Sequence, residues 1–280
     1  MTRLLSVALI CAALAACTSE AAALRLGTTY TVEQSGALAL LDSLHASAPA
    51  PVTVVVGPSG QILRSAAAGD LDLVLTHAPT LEQRLLVTPG RVELRCPFVA
   101  SRFAIVGPPA DPAHVAQAVS VADAMRRIAA AGGGGEGRGT GFVSRGDSSG
   151  THVKEVALWE AAGVAPIGRP WYVQAGADQA ATLRLADERG TYALADLPTF
   201  ARLPGVELRV LFTADTALVN PYTLYVIRSA ASHPAAARFG AWALGEWRER
   251  LLALRLSDGT AAFAPRAGGC APHPPAAGVP

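Results

Sequence analysis

The sequence predicts an α/β fold in which parallel strands are covered by helices. Short β-branched or apolar runs, such as Val52–Val56 and Phe103–Val106, alternate with longer stretches that favour helices. Turns rich in glycine, proline and hydroxyl residues separate the two kinds of segment, as in proteins built from strand–helix–strand units. The 280 residues are enough for one large domain or two small ones.

The elements are predicted in order from these patterns. Apolar and β-branched runs predict strands at 24–27, 52–56, 71–75, 103–106, 142–144, 171–173, 208–212 and 224–227. Helices are predicted at 37–47, 61–68, 121–131, 152–162 and 235–254. The glycine-rich segment 132–141 is expected to be a surface loop. Residues 267–280 are rich in proline, glycine and alanine, which favours a disordered tail.

The N-terminal residues predict export rather than a folded element. Arg3 is followed by an apolar run from Leu4 to Ala16, which is shorter than the roughly 20 residues of a membrane-spanning helix. We therefore expect residues 1–16 to be a signal peptide. The sequence Leu14-Ala15-Ala16-Cys17 is a lipobox, which predicts lipidation of Cys17 and a tether over 17–23. The alternative is an ordinary signal peptide with a chance cysteine.

Composition and cysteine count narrow the function classes. A net charge of +1 excludes a general nucleic-acid binder, which would carry a basic face. Once the signal peptide and the lipidated cysteine are set aside, Cys96 and Cys270 remain. In an oxidising compartment they are expected to pair, or else to remain two unpaired thiols.

Three turns rich in hydroxyls and glycine follow predicted strands and precede predicted helices, at 28–36, 57–61 and 145–151. In open α/β sheets, ligands bind at the carboxyl ends of the strands. Helix N-termini at that edge offer free N–H groups and the positive end of the helix dipole. Hydroxyls, N–H groups and one arginine together make a pocket of donors, which suits a fully ionised anion.

The turn from Arg145 to Thr151 carries the most specific pattern. Arg145 offers charge and paired donors, and Ser148, Ser149 and Thr151 offer hydroxyls. The plain alternative is a helix N-cap provided by Asp147 or a serine, which leaves Arg145 unexplained.

The same turn also fits the Gly-x-Ser-x-Gly pattern of serine hydrolases, with Ser148 as nucleophile. Asp215 and His233 follow in the chain order of a hydrolase triad, but no His-Gly-Gly-Gly segment offers an oxyanion hole. We therefore predict a binding protein rather than an enzyme, with no cofactor. His77 and His152 are not at metal-ligand spacing, so no metal site is expected and both are interpreted as polar residues near a cleft.

Many short motifs, in order and over nearly the whole mature chain, resemble the tungstate-binding TupA-type proteins of ABC importers. They include Gly27-Thr28-Thr29, Val56-Gly57 with Gly60-Gln61, Thr76-His77-Ala78-Pro79, Ile105-Val106-Gly107-Pro108, Phe142 to Asp147, Ser149 to His152, Trp171-Tyr172, Asn220-Pro221-Tyr222 and His233-Pro234.

The resemblance implies a two-lobed periplasmic-binding fold of type II with the ligand in the cleft between the lobes. The lobes are expected at 24–107 with 218–266, and at 108–217, with crossovers near 107–109 and 214–219. The ligand contacts implied or expected are Thr28, Thr29, Ser59, Arg145, Ser149 and Thr151.

Where the family has a Thr-Thr-Thr-Ser run, Tyr30 and Thr31 fill the last two places, and Asp178 replaces part of a glycine-rich turn. The implied ligand is tungstate, with molybdate as a close competitor. Phosphate and sulfate are the alternatives, since Asp147 resembles the acceptor aspartate of phosphate-binding proteins. The implied partner is the membrane permease of an ABC importer. The protein is expected to be a monomer, held at the membrane by its N-terminal lipid in the periplasm or at the cell surface.

Overall fold

The computed structural model describes residues 23–134, 140–228 and 233–273. It confirms the α/β fold class and its two-lobed periplasmic-binding form. The strands are β1 (Leu24–Thr29), β2 (Val52–Gly57), β3 (Leu73–Thr76), β4 (Val92–Gly107), β5 (Phe142–Ser144), β6 (Tyr172–Gln174), β7 (Ala193–Asp196), β8 (Arg209–Phe212), β9 (Val219–Ile227), β10 (Ala264–Pro265) and β11 (Ala271–Pro272). The helices are α1 (Tyr30–Gln34), α2 (Ala37–Ser43), α3 (Ser59–Ala68), α4 (Pro79–Glu82), α5 (Val121–Gly133), α6 (Gly150–Ala161), α7 (Gln179–Arg189), α8 (Leu197–Ala201), α9 (His233–Trp242) and α10 (Arg248–Ala253).

The sheet of the first lobe has the order β2-β1-β3-β9-β4, with β10 and β11 also paired to β4. Strands β2 and β3 pair parallel to β1, whereas β9 runs antiparallel between β3 and β4. Parallel strands must have their faces covered. Two apolar clusters do this, one beneath α9 and α10 around Phe98, Phe239 and Trp247, the other beneath α3 around Leu63 and Tyr225.

The second lobe is built on the far end of β4. Residues 103–107 of β4 pair antiparallel with β7 and β8, and β5 pairs parallel with β6. A bridge between Phe142 and Tyr192 joins these two groups of strands. The apolar clusters of the second lobe lie around Phe142, Trp159 and Tyr192 on one face and around Val143 and Leu183 on the other.

Strand β4 changes its pairing partner partway along its length. Strand β4 continues through both lobes, and its partner changes from β9 at Arg102 to β7 at Phe103. The lobe boundary predicted after Gly107 stays a prediction, and it lies at the end of the part of β4 that pairs with β7 and β8. Strand β4 can serve both lobes because successive parts of its length pair with different strands. On the return path, a 3-10 turn at Thr216–Leu218 precedes β9.

The C-terminal residues also differ from expectation. Residues 267–273, predicted as part of a disordered tail, lie against the sheet, where β11 pairs with β4. Cys270 forms a disulfide with Cys96 of β4, with Cα atoms 4.1 Å apart. Main-chain pairing and the disulfide together hold a segment whose composition alone favours disorder. Residues 274–280 lie outside the described residues, as do residues 1–22 with the predicted signal peptide and Cys17.

Several elements were missed or misjudged from sequence. The first half of β4, strand β7, and helices α1, α7 and α8 were not predicted. The single helix expected over 235–254 is divided by a π-helical turn at Ala243–Trp247. Over the described ranges, every helix falls short of the length and apolarity needed to cross a bilayer.

Candidate functional site: a donor-lined cleft between the lobes

The three hydroxyl-rich turns converge where the lobes meet. Thr28 and Thr29 end β1, Ser59 opens α3, and the turn from Arg145 to Thr151 joins β5 to α6. The six predicted ligand residues are all at most 3% exposed: Thr28, Thr29, Ser59, Arg145, Ser149 and Thr151. Burying so many polar groups is costly unless each has a partner. Their hydrogen bonds therefore show which groups are reserved for structure and which remain for a ligand.

Arg145 is the charged centre of the cleft. Its Nη2 forms an ion pair with Asp147, and its Nη1 donates to Thr31 Oγ1 of the first lobe at 3.2 Å. Its Nε is buried and has no hydrogen-bond partner among the described residues. Burial lowers the pKa of the guanidinium, and the Asp147 charge opposes this effect. Arginine nonetheless remains charged in proteins. One N–H of a buried cation is thus left for an acceptor.

The turn that carries Arg145 depends on a positive φ at Gly146. Gly146 has φ +63°, a conformation that costs glycine little. A Cβ at this position would lie 2.8 Å from Gln174 Cβ, so the turn also packs closely on β6. Behind the turn, Glu155 accepts from Tyr172 Oη at 2.7 Å and from Trp159 Nε1 at 3.1 Å. Burial is the largest cause that raises the pKa of Glu155, to about 7.

Three hydroxyls act as helix or loop caps yet keep their protons. Thr29 Oγ1 accepts from Val32 N at 3.3 Å, and Ser149 Oγ accepts from His152 N at 3.2 Å. Ser59 Oγ accepts from Gly150 N at 3.0 Å. Because each oxygen is the acceptor in its contact, its O–H proton is still available. Thr151 Oγ1 is buried and, within the described structure, has no partner at all.

Thr28 differs from the other five residues. Its Oγ1 donates to Leu75 O on the neighbouring strand β3 at 2.9 Å. The hydroxyl proton is therefore used inside the first lobe, and a fully deprotonated anion cannot receive it. Thr28 stays a predicted ligand contact, and in the structure its hydroxyl links β1 to β3.

The lobes touch each other directly around the cleft. The Gly150 N–H that donates to Ser59 Oγ crosses from the second lobe to the first, as does the contact of Arg145 with Thr31. Ala180 N of α7 donates to Gln34 Oε1 of α1 at 3.2 Å. Thr31, which stands outside the expected hydroxyl pattern, is 1% exposed and joins Arg145 to the first lobe. Its position in the run after Thr29 was the signal for it, although its role was not predicted.

The acidic residues near the cleft have structural partners. Asp147 Oδ2 accepts from Arg145 Nη2, and Asp147 Oδ1 accepts from Ser149 N at 3.1 Å. Asp178 caps α7, where its Oδ1 accepts from Ala181 N at 2.9 Å. The carboxylate that replaces the family's glycine-rich turn is therefore used for a helix cap, and the carboxylate that suggested phosphate is paired with the cleft arginine.

His77, interpreted from the sequence only as a polar residue near a cleft, is buried in the structure. His77 follows β3 and is 2% exposed. Its Nδ1 lies 3.1 Å from Asn220 Oδ1, and its Nε2 has no partner among the residues described. Burial, followed by the charge of Arg145, lowers the pKa of His77 to about 4. The ring is therefore neutral at pH 7. The sequence indications were its place beside a turn that follows a strand and the motif Thr76-His77-Ala78-Pro79.

The geometry at Ser148 does not resemble a hydrolase triad in the described residues. Ser148 N donates to His152 Nδ1 at 3.1 Å, and Ser148 has φ +58°. Asp215 accepts from Val121 N and Ala217 N, each at 2.9 Å, and caps a 3-10 turn. The side chain of His233 lies outside the described structure. The described parts of the chain also contain no group of three or more His, Cys, Asp and Glu residues that could hold a metal ion.

Comparison with known proteins agrees with this architecture. Residues 16–246 match the model of the PBP superfamily domain. A putative ABC transporter anion-binding protein from Haloferax volcanii is 36% identical over 214 residues. That match covers 74% of this chain but only 60% of the relative, less than two thirds of its length. The tungstate-binding protein TupA of Peptoclostridium acidaminophilum is 31% identical over 226 residues, covering 79% of this chain and 76% of the relative.

A solved structure gives the same result. The crystal structure of the tungstate ABC transporter from Geobacter sulfurreducens superposes with a TM-score of 0.70 at 34% identity. It covers 81% of this chain and 96% of the solved one. The chain therefore belongs to the PBP superfamily and, within it, to the family of TupA-type tungstate-binding proteins.

Proposed function

We propose that this chain is an extracytoplasmic solute-binding protein that captures tungstate for an ABC importer. The observation that carries the proposal is the set of free donors in one buried cleft. The Arg145 Nε–H and the Thr151 hydroxyl have no partner in the described structure, and Thr29, Ser59 and Ser149 keep their hydroxyl protons. Family membership, with relatives that carry this function in their names, supports the same conclusion.

The donor pattern favours a fully deprotonated anion. Tungstate, molybdate and sulfate only accept hydrogen bonds at neutral pH, so a cleft of donors satisfies every oxygen. Phosphate retains a proton and needs an acceptor, and the nearest candidate, Asp147, is already paired with Arg145 and Ser149 N. Sulfate and tungstate carry the same charge and accept hydrogen bonds in the same way, so the charge and donors of the cleft do not distinguish them. Selection between them therefore rests on cavity size, and molybdate, which resembles tungstate in size, is the expected competitor.

The proposal includes export and a lipid anchor at Cys17. It is supported by the lipobox Leu14-Ala15-Ala16-Cys17 at the end of an apolar run too short to span a bilayer. Two acyl chains give stable attachment, whereas one gives only marginal binding. Cys17→Ala should move the protein from the membrane fraction to the soluble fraction. Retention in the membrane fraction would refute the anchor without affecting the ligand assignment.

The protein is proposed to act as a monomer that delivers its anion to a membrane permease, and not as an enzyme. In the described residues, the Ser148 N–H faces His152, and Asp215 is occupied as a cap. Treatment with a fluorophosphonate probe should leave the protein unlabelled. Labelling that disappears in Ser148→Ala would instead establish a nucleophilic serine.

The deciding experiment is calorimetric titration of the anion-free protein with tungstate, molybdate, sulfate and phosphate in turn. We expect tight binding of tungstate, comparable or weaker binding of molybdate, and much weaker binding of sulfate and phosphate. Tight phosphate binding without tungstate heat would reverse the assignment. Absence of heat from all four anions would refute oxyanion capture.

A further inference from the structure

We propose that His77 is a direct contact of the bound oxyanion: it takes up a proton as the anion enters, and its Nε2–H then donates to an anion oxygen. The inference rests on the proposed oxyanion-binding function. It gives a ligand role to a residue that sequence analysis interpreted only as a polar residue near a cleft, and it links capture of the anion to pH.

The ring of His77 lies directly against the N-terminus of α6. A Cβ placed on Gly150, the first residue of α6, would lie 2.9 Å from His77 Cε1 and 3.0 Å from Nδ1. The residues on either side of Gly150 are Ser149 and Thr151, two of the proposed anion contacts. Because Cε1 is bonded to Nε2, the unpartnered nitrogen is one bond away from an atom that touches this turn. The close approach also explains why position 150 is a glycine.

The hydrogen-bond network behind the ring determines its tautomer. Asn220 Nδ2 lies within hydrogen-bonding distance of three oxygens, Ser101 Oγ at 3.2 Å, Asp196 Oδ1 at 3.0 Å and Tyr222 Oη at 3.1 Å, and its two N–H groups are directed at them. With its amide nitrogen directed at these three oxygens, Asn220 presents Oδ1 to His77 Nδ1 at 3.1 Å. Nδ1 therefore carries a hydrogen, and in the neutral ring Nε2 is a bare acceptor.

A bare acceptor is the wrong group for a cleft that receives an acceptor-only anion. Nε2 is buried without a partner among the described residues, as are Arg145 Nε and Thr151 Oγ1. Protonation of Nε2 converts it into a third donor and gives the anion a charge-assisted hydrogen bond. The network behind the ring is unaffected, because Nδ1 donates to Asn220 in both states.

Electrostatics permits this change only when the anion is present. In the anion-free protein, burial and the Arg145 charge lower the pKa of His77 to about 4. A dianion places two negative charges beside the ring and beside Arg145, which offsets the repulsion and raises the pKa.

Other titratable groups lie on the segments that adjoin His77 and its partners. They are Arg145, Asp147 and His152 from the second lobe, Glu82 from α4, Asp196 from β7 and Tyr222 from β9. Burial is the largest cause of the raised pKa of Glu82 and of Asp196. The ring of Tyr222 lies 5.0 Å from that of His77. Arg145 is the group whose charge acts most directly on His77, and it is also the one that the anion neutralises.

The test is calorimetric titration of the anion-free, full-length protein with tungstate at pH 7 in three buffers with different heats of ionisation. The slope of observed enthalpy against buffer ionisation enthalpy counts the protons taken up. We expect about one proton per tungstate in the wild type and none in His77→Gln, which keeps an amide donor near Nε2. His152→Gln is the matched control for a second cleft histidine and should still take up the proton.

The outcomes separate the two proposals. Strong tungstate heat with no proton uptake by the wild type would overturn the role of His77 and leave oxyanion capture standing. Full uptake by His77→Gln would also overturn it. Absence of heat with all four oxyanions would overturn both. If His77→Gln fails to fold, side-chain ¹⁵N NMR of the wild type decides: tungstate at pH 7 should convert the His77 signals from neutral imidazole to imidazolium, and an unchanged neutral ring would refute the inference.

Discussion

Removal of Arg145 should weaken oxyanion binding by more than the loss of a single hydrogen bond, because Arg145 also neutralises Asp147. The guanidinium is 2% exposed, and the Asp147 side chain with which it pairs is 12% exposed. Arg145→Ala removes a charge-assisted contact to the anion, which contributes about 1.5–3 kcal/mol. It also leaves the Asp147 carboxylate next to a dianion without its counter-charge.

The second effect is the larger one. At an effective dielectric of about 20 and a separation of about 6 Å, one negative charge opposes a dianion by about 5 kcal/mol. Together the two effects amount to about 6.5–8 kcal/mol, a loss of affinity on the order of ten-thousandfold or more, since about 1.4 kcal/mol is a factor of ten. Arg145→Ala combined with Asp147→Asn removes the repulsion and should lose only about 10- to 150-fold. Asp147→Asn alone should bind tungstate at least as well as the wild type.

The assay is calorimetric titration of tungstate into the four members of this double-mutant cycle, each freed of anion and checked by circular dichroism and melting temperature. The double variant is expected to bind more tightly than Arg145→Ala. If Arg145→Ala binds within about threefold of the wild type, the assignment of Arg145 as the charged anchor of the cleft is refuted. If the double variant binds no better than Arg145→Ala, the reasoning about Asp147 is wrong even though Arg145 is needed.

Three further predictions follow from particular contacts. Thr151→Val should weaken tungstate binding by about tenfold or more without lowering the melting temperature. Thr28→Val leaves the Leu75 carbonyl without its hydrogen bond, so it should lower the free energy of unfolding by about 1 kcal/mol and change the affinity little. The reverse pattern would contradict the proton assignments. Cys270→Ser should lower the melting temperature, because a disulfide between residues 174 apart in sequence stabilises by up to about 5 kcal/mol on the loop-entropy model, and an unchanged melting point would count against that contribution. Burial raises the pKa of Glu155 to about 7. Its contribution to the free energy of unfolding is therefore fully present below the unfolded pKa of about 4.3 and is lost as pH rises towards 7. In denaturant titrations from pH 4.5 to 7, the free energy of unfolding of the wild type should fall by up to about 3 kcal/mol relative to Glu155→Gln, and parallel curves would refute this.

Local patterns predicted the elements that are short and bounded by clear turns. The runs at β1, β2, β3 and β5 have strongly apolar or β-branched sequences that end in glycine- or hydroxyl-rich turns, and these were recognised. The first half of β4 was not, because its sequence Val-Glu-Leu-Arg-Cys-Pro lacks a continuous apolar run. Its strand conformation depends on pairing with β9, which is far away in the sequence. The change of pairing partner within β4 was not predicted for the same reason.

The candidate site shows a similar division. The residue types in the turns around Thr29, Ser59 and Arg145 were sufficient to predict a cleft of donors. Which donors are free was not predictable, since it depends on partners elsewhere in the chain. Thr28 gives its proton to Leu75, 47 residues away, and His77 Nδ1 is held by Asn220, 143 residues away.

By itself the sequence determined the fold class and three turns whose hydroxyls, glycines and arginine suit an anion, and it predicts export. These are properties of residue type and short-range spacing, which local backbone preferences and helix capping convert into structure. Only the tertiary structure decided that β4 serves both lobes, that Cys270 and its neighbours lie against the sheet, that Asp147 is paired with Arg145, and that Nε2 of His77 is left without a partner in the described cleft. The physical reason is that the neighbours of a buried polar group decide whether its donors and acceptors are already used. Those neighbours come together only when the chain folds.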